Sequence, residues 1–329
     1  MSGFVTGLEL SRRFYQEAVL PALEGVAHSA ARLGPGSEVL GFDTTRSTDH
    51  DWGARLQLFL APDEVARNGE RIARQLPEVF LGYPTLVEIA DIDGWMTGML
   101  GFTPSAGVTT VDWLAAPTQR LAEITAGAVF HDGLGRLEED RERLAWYPRD
   151  VWLYVLGCQW KRISQEEAFV GRCGEVGDEL GSAVVAARLV RDLMRLVLLM
   201  ERRYPPYSKW LGSAFGHREL TPHLAGTLAA TDWRTREEHL ARAYEQVADL
   251  HNGLGLTETI DPTVRLYFDR PFRVIGADRF AGALFAGIAD PEVRALPPVG
   301  AVDQFGDSTD FLGGIEFTRG AVRATTGGL

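Results

Sequence analysis

Two aspartates, Asp49 and Asp51, flank a histidine in Ser47-Thr48-Asp49-His50-Asp51-Trp52, and eleven residues separate Ser37 of a Gly36-Ser37 pair from Asp49. On a β-strand side chains repeat every second residue, so carboxylates at this spacing face one way with backbones about 6.5–7 Å apart. Bare carboxylates held like that repel. Divalent cations remove the repulsion, and two magnesium ions roughly 3.5–4 Å apart can share such a pair while clamping a phosphoryl group. The Gly-Ser turn offers backbone N–H groups and a hydroxyl, the donors that cradle phosphate oxygens. Further along, Glu88 in Leu86-Val87-Glu88-Ile89 has the apolar flanks of a buried strand with one projecting carboxylate, and Asp91 and Asp93 are the alternative carboxylates of the same stretch. Arg46 and Arg55 stand on either side of the aspartates as phosphate partners, and His50 between them is placed to contact an acceptor or to perturb a metal site.

The elements that must position these residues follow from periodicity. Residues 8–26 read as an amphipathic helix with Leu10, Phe14, Leu23 and Val26 on one face. Ala30 to Leu33 reads as a short buried strand ending in the turn Gly34-Pro35-Gly36-Ser37. Thr48 to Leu60 reads as a strand that starts polar, finishes apolar and is stopped by Pro62; residues 63–76 follow as a helix, and Thr85 to Ile92 as another strand. After Pro117 the pattern turns helical, with segments at 118–128, 137–146, 149–164, 165–203, 207–215, 219–229 and 234–252. A strand at 264–268, the segment Arg270 to Ile275, a helix at 277–288 and a loop rich in Pro, Gly and Asp follow. The expected class is α+β: a small mixed-sheet domain over residues 1–115, a helical bundle over 116–259, and a C-terminal extension, 260–329, packing on one or both.

Composition narrows the function. The chain has 329 residues, 45% of them hydrophobic, and a net charge of −12 from 33 basic and 45 acidic side chains. A general nucleic-acid binder needs excess cation to displace phosphate counterions, so this balance argues against one. Only Cys158 and Cys173 are present, which fits a reducing cytoplasm rather than a disulfide-built secreted fold. The N-terminus lacks a signal-peptide core, and the most apolar window, Ala183 to Met200, is interrupted by Arg188, Arg191, Asp192 and Arg195, so no membrane span is expected.

With these residues in view, the pattern Gly36-Ser37, eleven residues, Asp49-x-Asp51 and a later Glu88 on a strand resembles the nucleotidyltransferase superfamily, whose fold is that of DNA polymerase beta. The stretch Gly34 to Leu60, with Gln165 to Gly174 and Tyr204 to Trp210, looks like an uncharacterised bacterial family of that superfamily, in which a helical domain follows as in aminoglycoside nucleotidyltransferases. Two positions depart from the pattern: His50 stands where an apolar residue is usual, and Pro35 where an aliphatic one is. The resemblance implies two Mg2+ ions held by Asp49, Asp51 and Glu88, a nucleoside triphosphate, ATP first, on Gly36 and Ser37, and transfer of its nucleoside monophosphate to a hydroxyl of a small molecule or protein. Two readings of other classes stand beside it, a nucleotide-binding sensor without turnover and a toxin–antitoxin-like module. A homodimer is compatible with each.

The helical half adds candidates. Of 33 basic residues only Lys161 and Lys209 are lysines, and Lys209, beside Trp210, suits a point charge on phosphate. The expected helix 165–203 contains Gly171, Gly174, Gly177 and Gly181, each costing about 1 kcal/mol against alanine. Their spacing lines Glu167, Gly171, Gly174, Asp178 and Gly181 along one stripe. That stripe is either an acceptor groove, with Glu167 or Asp178 as a base, or a surface for close helix packing or a helix break.

Overall fold

The computed structural model describes residues 4–216 and 219–327. Its fold is α+β and falls into two compact units, residues 1–146 with 313–319, and residues 147–312 with 320–329.

The first unit is built on a five-stranded mixed sheet. Its strands are β1 (Ser29–Arg32), β2 (Ala54–Phe59), β3 (Val79–Phe80), β4 (Tyr83–Ala90) and β5 (Ala128–Asp132), in the spatial order β3-β4-β2-β1-β5. β1 runs antiparallel to β2 and β5, whereas β2 and β4 are parallel, with Gln57 in register with Glu88. A parallel pair needs a crossover, and the helix Pro62–Gln75 supplies it; Pro62 starts that helix where its missing N–H costs nothing. One sheet face carries Ala30, Ala54, Leu56 and Leu58, which pack with Leu10, Phe14, Val19 and Leu23 of the N-terminal helical segment and Ile72 of the crossover helix. Alternation puts Arg55 and Gln57 of β2, and Leu86 and Glu88 of β4, on the opposite face.

Several boundaries differ from the sequence reading. The N-terminal helix spans Gly7–Phe14, widens into a π-helical turn at Tyr15–Val19, and ends at Ala22. The second strand starts at Ala54 rather than Thr48, because residues 45–49 curl into a 3-10 turn capped by Thr44. The mixed domain runs on to residue 146 rather than 115, since the strand Ala128–Asp132 pairs with β1 and belongs to the same sheet. The C-terminal segment is divided as well, with residues 313–319 grouped with the first unit and the rest with the second.

The second unit is a helical bundle. The helix Arg149–Glu166 is buried continuously from Val151 to Trp160, and a helix apolar on every side must lie at the centre of its bundle. The helices Glu179–Met200 and Asp278–Ala286 pack against it, the helix Trp233–Gly253 packs on Glu179–Met200, and a two-stranded hairpin formed by β6 (Arg265–Tyr267) and β7 (Arg270–Val274) lies against Trp233–Gly253 through β7. The single helix expected over 165–203 is three pieces, the end of Arg149–Glu166, then Phe169–Glu175 and Glu179–Met200. Gly177 breaks it in the left-handed region at φ +80°, and Asp178 caps the next helix by accepting from the Gly181 N–H at 2.7 Å. No helix among the described residues is long and apolar enough to cross a membrane.

Candidate functional site

The Gly-Ser turn leaves β1 directly, and a buried ion pair shapes it. Arg32, the last residue of β1, donates from Nε to Glu38 at 2.9 Å and from Nη2 to Glu38 at 2.7 Å, and both side chains are buried. The same guanidinium donates to the carbonyls of Leu33 and Pro35, so it staples Gly34-Pro35-Gly36 from within. Burial lowers the proton affinity of Arg32, and the Glu38 carboxylate opposes that. Gly36 has no room for a side chain: a Cβ there would lie 2.7 Å from the Glu38 carboxylate oxygens and would also strike Arg32. Beyond it the chain turns, with Phe42 N–H donating to Ser37 C=O at 2.8 Å, and no backbone carbonyl among the described residues accepts from the Ser37 or Glu38 N–H.

The acidic loop is anchored at both ends and exposed at its tip. Asp43 accepts from the Gly7 N–H at 2.7 Å and from the Trp52 indole at 3.2 Å, and Trp52 is buried against Tyr83. Between these anchors Asp49, His50 and Asp51 are exposed. The Asp49 carboxylate contacts His50 Nδ1 at 2.7 Å, and that bond holds its carboxyl below the usual range. Asp51 occupies the left-handed region at φ +49°, a conformation Asp tolerates better than most residues, and its carbonyl accepts from Arg55 at 2.6 Å. The two aspartates thus lie before the strand rather than on it, and the same-face geometry expected of them does not apply. Arg46 is exposed in the same 3-10 turn and has no ion-pair partner among the described residues.

Glu88 does sit on a strand, parallel to β2 and exposed, between the half-buried Val87 and Ile89. Its Oε2 accepts from the Gln57 amide at 3.2 Å and the Trp95 indole at 3.1 Å. Of the two alternatives, Asp91 caps the helix Ile92–Leu100 through the Gly94 N–H, and Asp93 pairs with Arg136 at 2.6 Å. Among the described residues no three His, Cys, Asp or Glu side chains are gathered closely enough to hold a metal ion. As they stand, Asp49, Asp51 and Glu88 do not fit the two-ion site that the resemblance implies.

The candidates of the second unit are held in structural contacts. Glu167 accepts from the backbone N–H groups of Ile275, Gly276 and Ala277 at 2.9–3.1 Å, tying down the start of the helix Asp278–Ala286, while burial pushes its carboxyl up to about 7. Asp178 is the helix cap already described. The glycine stripe is filled rather than open: a Cβ on Gly171 would meet Phe272 at 2.5 Å, and one on Gly174 would overlap the Trp233 ring. Of the two readings of the stripe, the packing at Gly171 and Gly174 and the break at Gly177 fit close packing and a helix break rather than an acceptor groove. Lys209 is exposed with its Nζ 4.7 Å from the centre of the Trp210 ring.

Sequence reasoning missed Arg32, Glu38, Asp43, Gln57 and Trp95. The only signals were Arg32 closing a run of small residues and Gln57 standing alone in the apolar run Leu56-Gln57-Leu58.

A family model described as a domain of unknown function (DUF4037) matches residues 113–211. The match begins in the first unit, ends in the second and contains both Gln165–Gly174 and Tyr204–Trp210. No curated protein matches the sequence.

Proposed function

We propose that this chain is a cytoplasmic nucleotidyltransferase that moves a nucleoside monophosphate from a triphosphate, ATP first, to a hydroxyl of a small molecule or protein. One observation carries the reading. The Gly-Ser turn leaves β1, the acidic loop leads into β2, and Glu88 lies on β4, and these three strands are consecutive neighbours in one sheet. In the reaction the acceptor oxygen forms a bond to the α-phosphorus in line with the bridging oxygen, whose bond breaks. Pyrophosphate leaves with the electron pair, and the hydroxyl proton passes to solvent or a base. This chain's part is positioning: the Ser37 and Glu38 N–H groups for the polyphosphate, with Arg46 and Arg55 beside the acidic loop. Because the three carboxylates do not meet, no step is drawn through magnesium.

That same disagreement favours a second reading, a nucleotide sensor without turnover, in which Asp49 stays bound to His50 and Glu88 to Gln57 and Trp95. One experiment separates the two: incubate the protein with magnesium and each α-labelled triphosphate, and follow label onto protein or added acceptors. Transfer by the wild type, lowered at least about tenfold in Asp49→Ala, Asp51→Ala and Glu88→Ala, supports the transferase. Binding without transfer, equal in wild type and variants, supports the sensor.

A further inference from the structure

We propose that Gln57 is a positioning residue that couples the Gly34–Ser37 turn to the orientation of Glu88. The inference rests on the nucleotide reading above. Gln57 is buried in β2, the strand between β1 and β4. Its Oε1 accepts from the Leu33 N–H at 3.0 Å, the peptide that opens the turn, and its Nε2 donates to Glu88 Oε2 at 3.2 Å. A carboxamide is planar, with an acceptor at one end and donors at the other. Flipping it would set donor against donor at Leu33 and acceptor against acceptor at Glu88, leaving the buried Leu33 N–H unsatisfied. The amide therefore has one orientation, and any displacement of the Leu33 peptide reaches Glu88 through a rigid group.

Trp95 fixes the other side of the relay. Its indole donates to the same Glu88 oxygen at 3.1 Å, while its ring meets Phe59 of β2 edge-on with centroids 5.5 Å apart. The ring also reaches back to the turn, where a Cβ built on Gly34 would lie 3.5 Å from Trp95 Cζ2. Two neutral donors hold Oε2, and Oε1 of the exposed Glu88 has no hydrogen-bond partner among the described residues. Glu88 is thus presented with one oxygen committed and one available, in a direction set by the side chain that also senses the turn.

The test is a pair of proton–nitrogen correlation spectra on the full chain, with the Trp95 indole assigned by Trp95→Phe. In the free protein Glu88→Gln should move the Trp95 indole resonance; no movement overturns the positioning. On titration with ATP the Ser37 amide and the Trp95 indole of the wild type should shift along one binding curve. In Gln57→Leu the Ser37 amide should still titrate while the indole response is lost. Gln57→Glu, which keeps the acceptor for Leu33 but cannot donate to Glu88 when ionised, should behave like Gln57→Leu, and melting curves establish that both variants fold. An indole that stays still while Ser37 titrates, or that responds equally in Gln57→Leu, overturns the coupling alone. Should ATP move neither resonance, the nucleotide reading itself fails and the coupling with it.

Discussion

Arg32 and Glu38 form an ion pair in which each side chain is only 1% exposed. They bracket the Gly-Ser turn in the sequence, and Arg32 also holds the carbonyls of Leu33, just before the turn, and of Pro35 within it. A buried pair is weak evidence for net stability, because desolvation offsets much of the attraction. Breaking it from one side is another matter.

Glu38→Ala leaves a guanidinium buried without its counter-charge, an arrangement that costs about 3–5 kcal/mol. Urea unfolding near neutral pH should show that loss. Replacing both partners by apolar residues, Arg32→Met with Glu38→Leu, should recover most of it. A Glu38→Ala loss below about 1 kcal/mol would mean that water reaches the guanidinium and the pair is not sealed.

Gly174 makes the opposite kind of prediction, an added atom rather than a removed one. A methyl group there overlaps the Trp233 ring, and overpacking of this sort costs about 1–3 kcal/mol. Helix propensity alone would favour alanine by about 1 kcal/mol, so the two effects have opposite signs. Gly174→Ala should lower the thermal midpoint, and Gly174→Ala with Trp233→Leu should restore part of it. A raised midpoint in the single variant would show that the stripe is open and return the acceptor groove to consideration.

The contrast between the stripe and the acidic loop shows where the sequence could be read and where it could not. The strand at Ser29–Arg32, the crossover helix from Pro62 and the strand carrying Glu88 follow local rules: a short run of small residues before a Gly-Pro-Gly turn, a helix period directly after a strand-stopping proline, an acid between two apolar residues. The loop at 43–52 does not. Its course is set by Asp43 reaching Gly7, 36 residues away, and Trp52, and no period-2 pattern distinguishes Thr48-Asp49-His50 in a strand from the same residues in a 3-10 turn. The strand Ala128–Asp132 was hidden for the same reason. It is five residues long among helices, and its partner β1 lies about a hundred residues earlier, with Ser29 bonded to Asp132 at 2.6 Å. Gln57 was visible as the one polar residue in an apolar run, but its meaning depends on Leu33 and Glu88 arriving on either side of it.

His251 supplies a prediction about pH in the second unit. The ring is 1% exposed, and burial pushes its pKa down to about 4. The Trp160 indole can only donate, so His251 Nδ1, 3.2 Å away, accepts and Nε2 carries the proton toward Thr257 at 3.1 Å. The folded value lies below the ordinary histidine value of about 6.5. Between pH 6.5 and 4 the unfolded chain therefore binds a proton that the native state refuses, and stability falls as pH falls through that window. Above it the ring contributes no pH dependence, and below about 4 both states are protonated and the loss levels off. The full shift corresponds to about 3 kcal/mol, an upper bound if water reaches the ring on local opening. His251→Gln cannot titrate, so the stability difference between wild type and variant isolates this group from every other. Measured by urea unfolding, that difference should move against the wild type from pH 7.5 to 4.5 by up to about that amount. A difference that stays constant across the range would mean that His251 is not held neutral between Trp160 and Thr257.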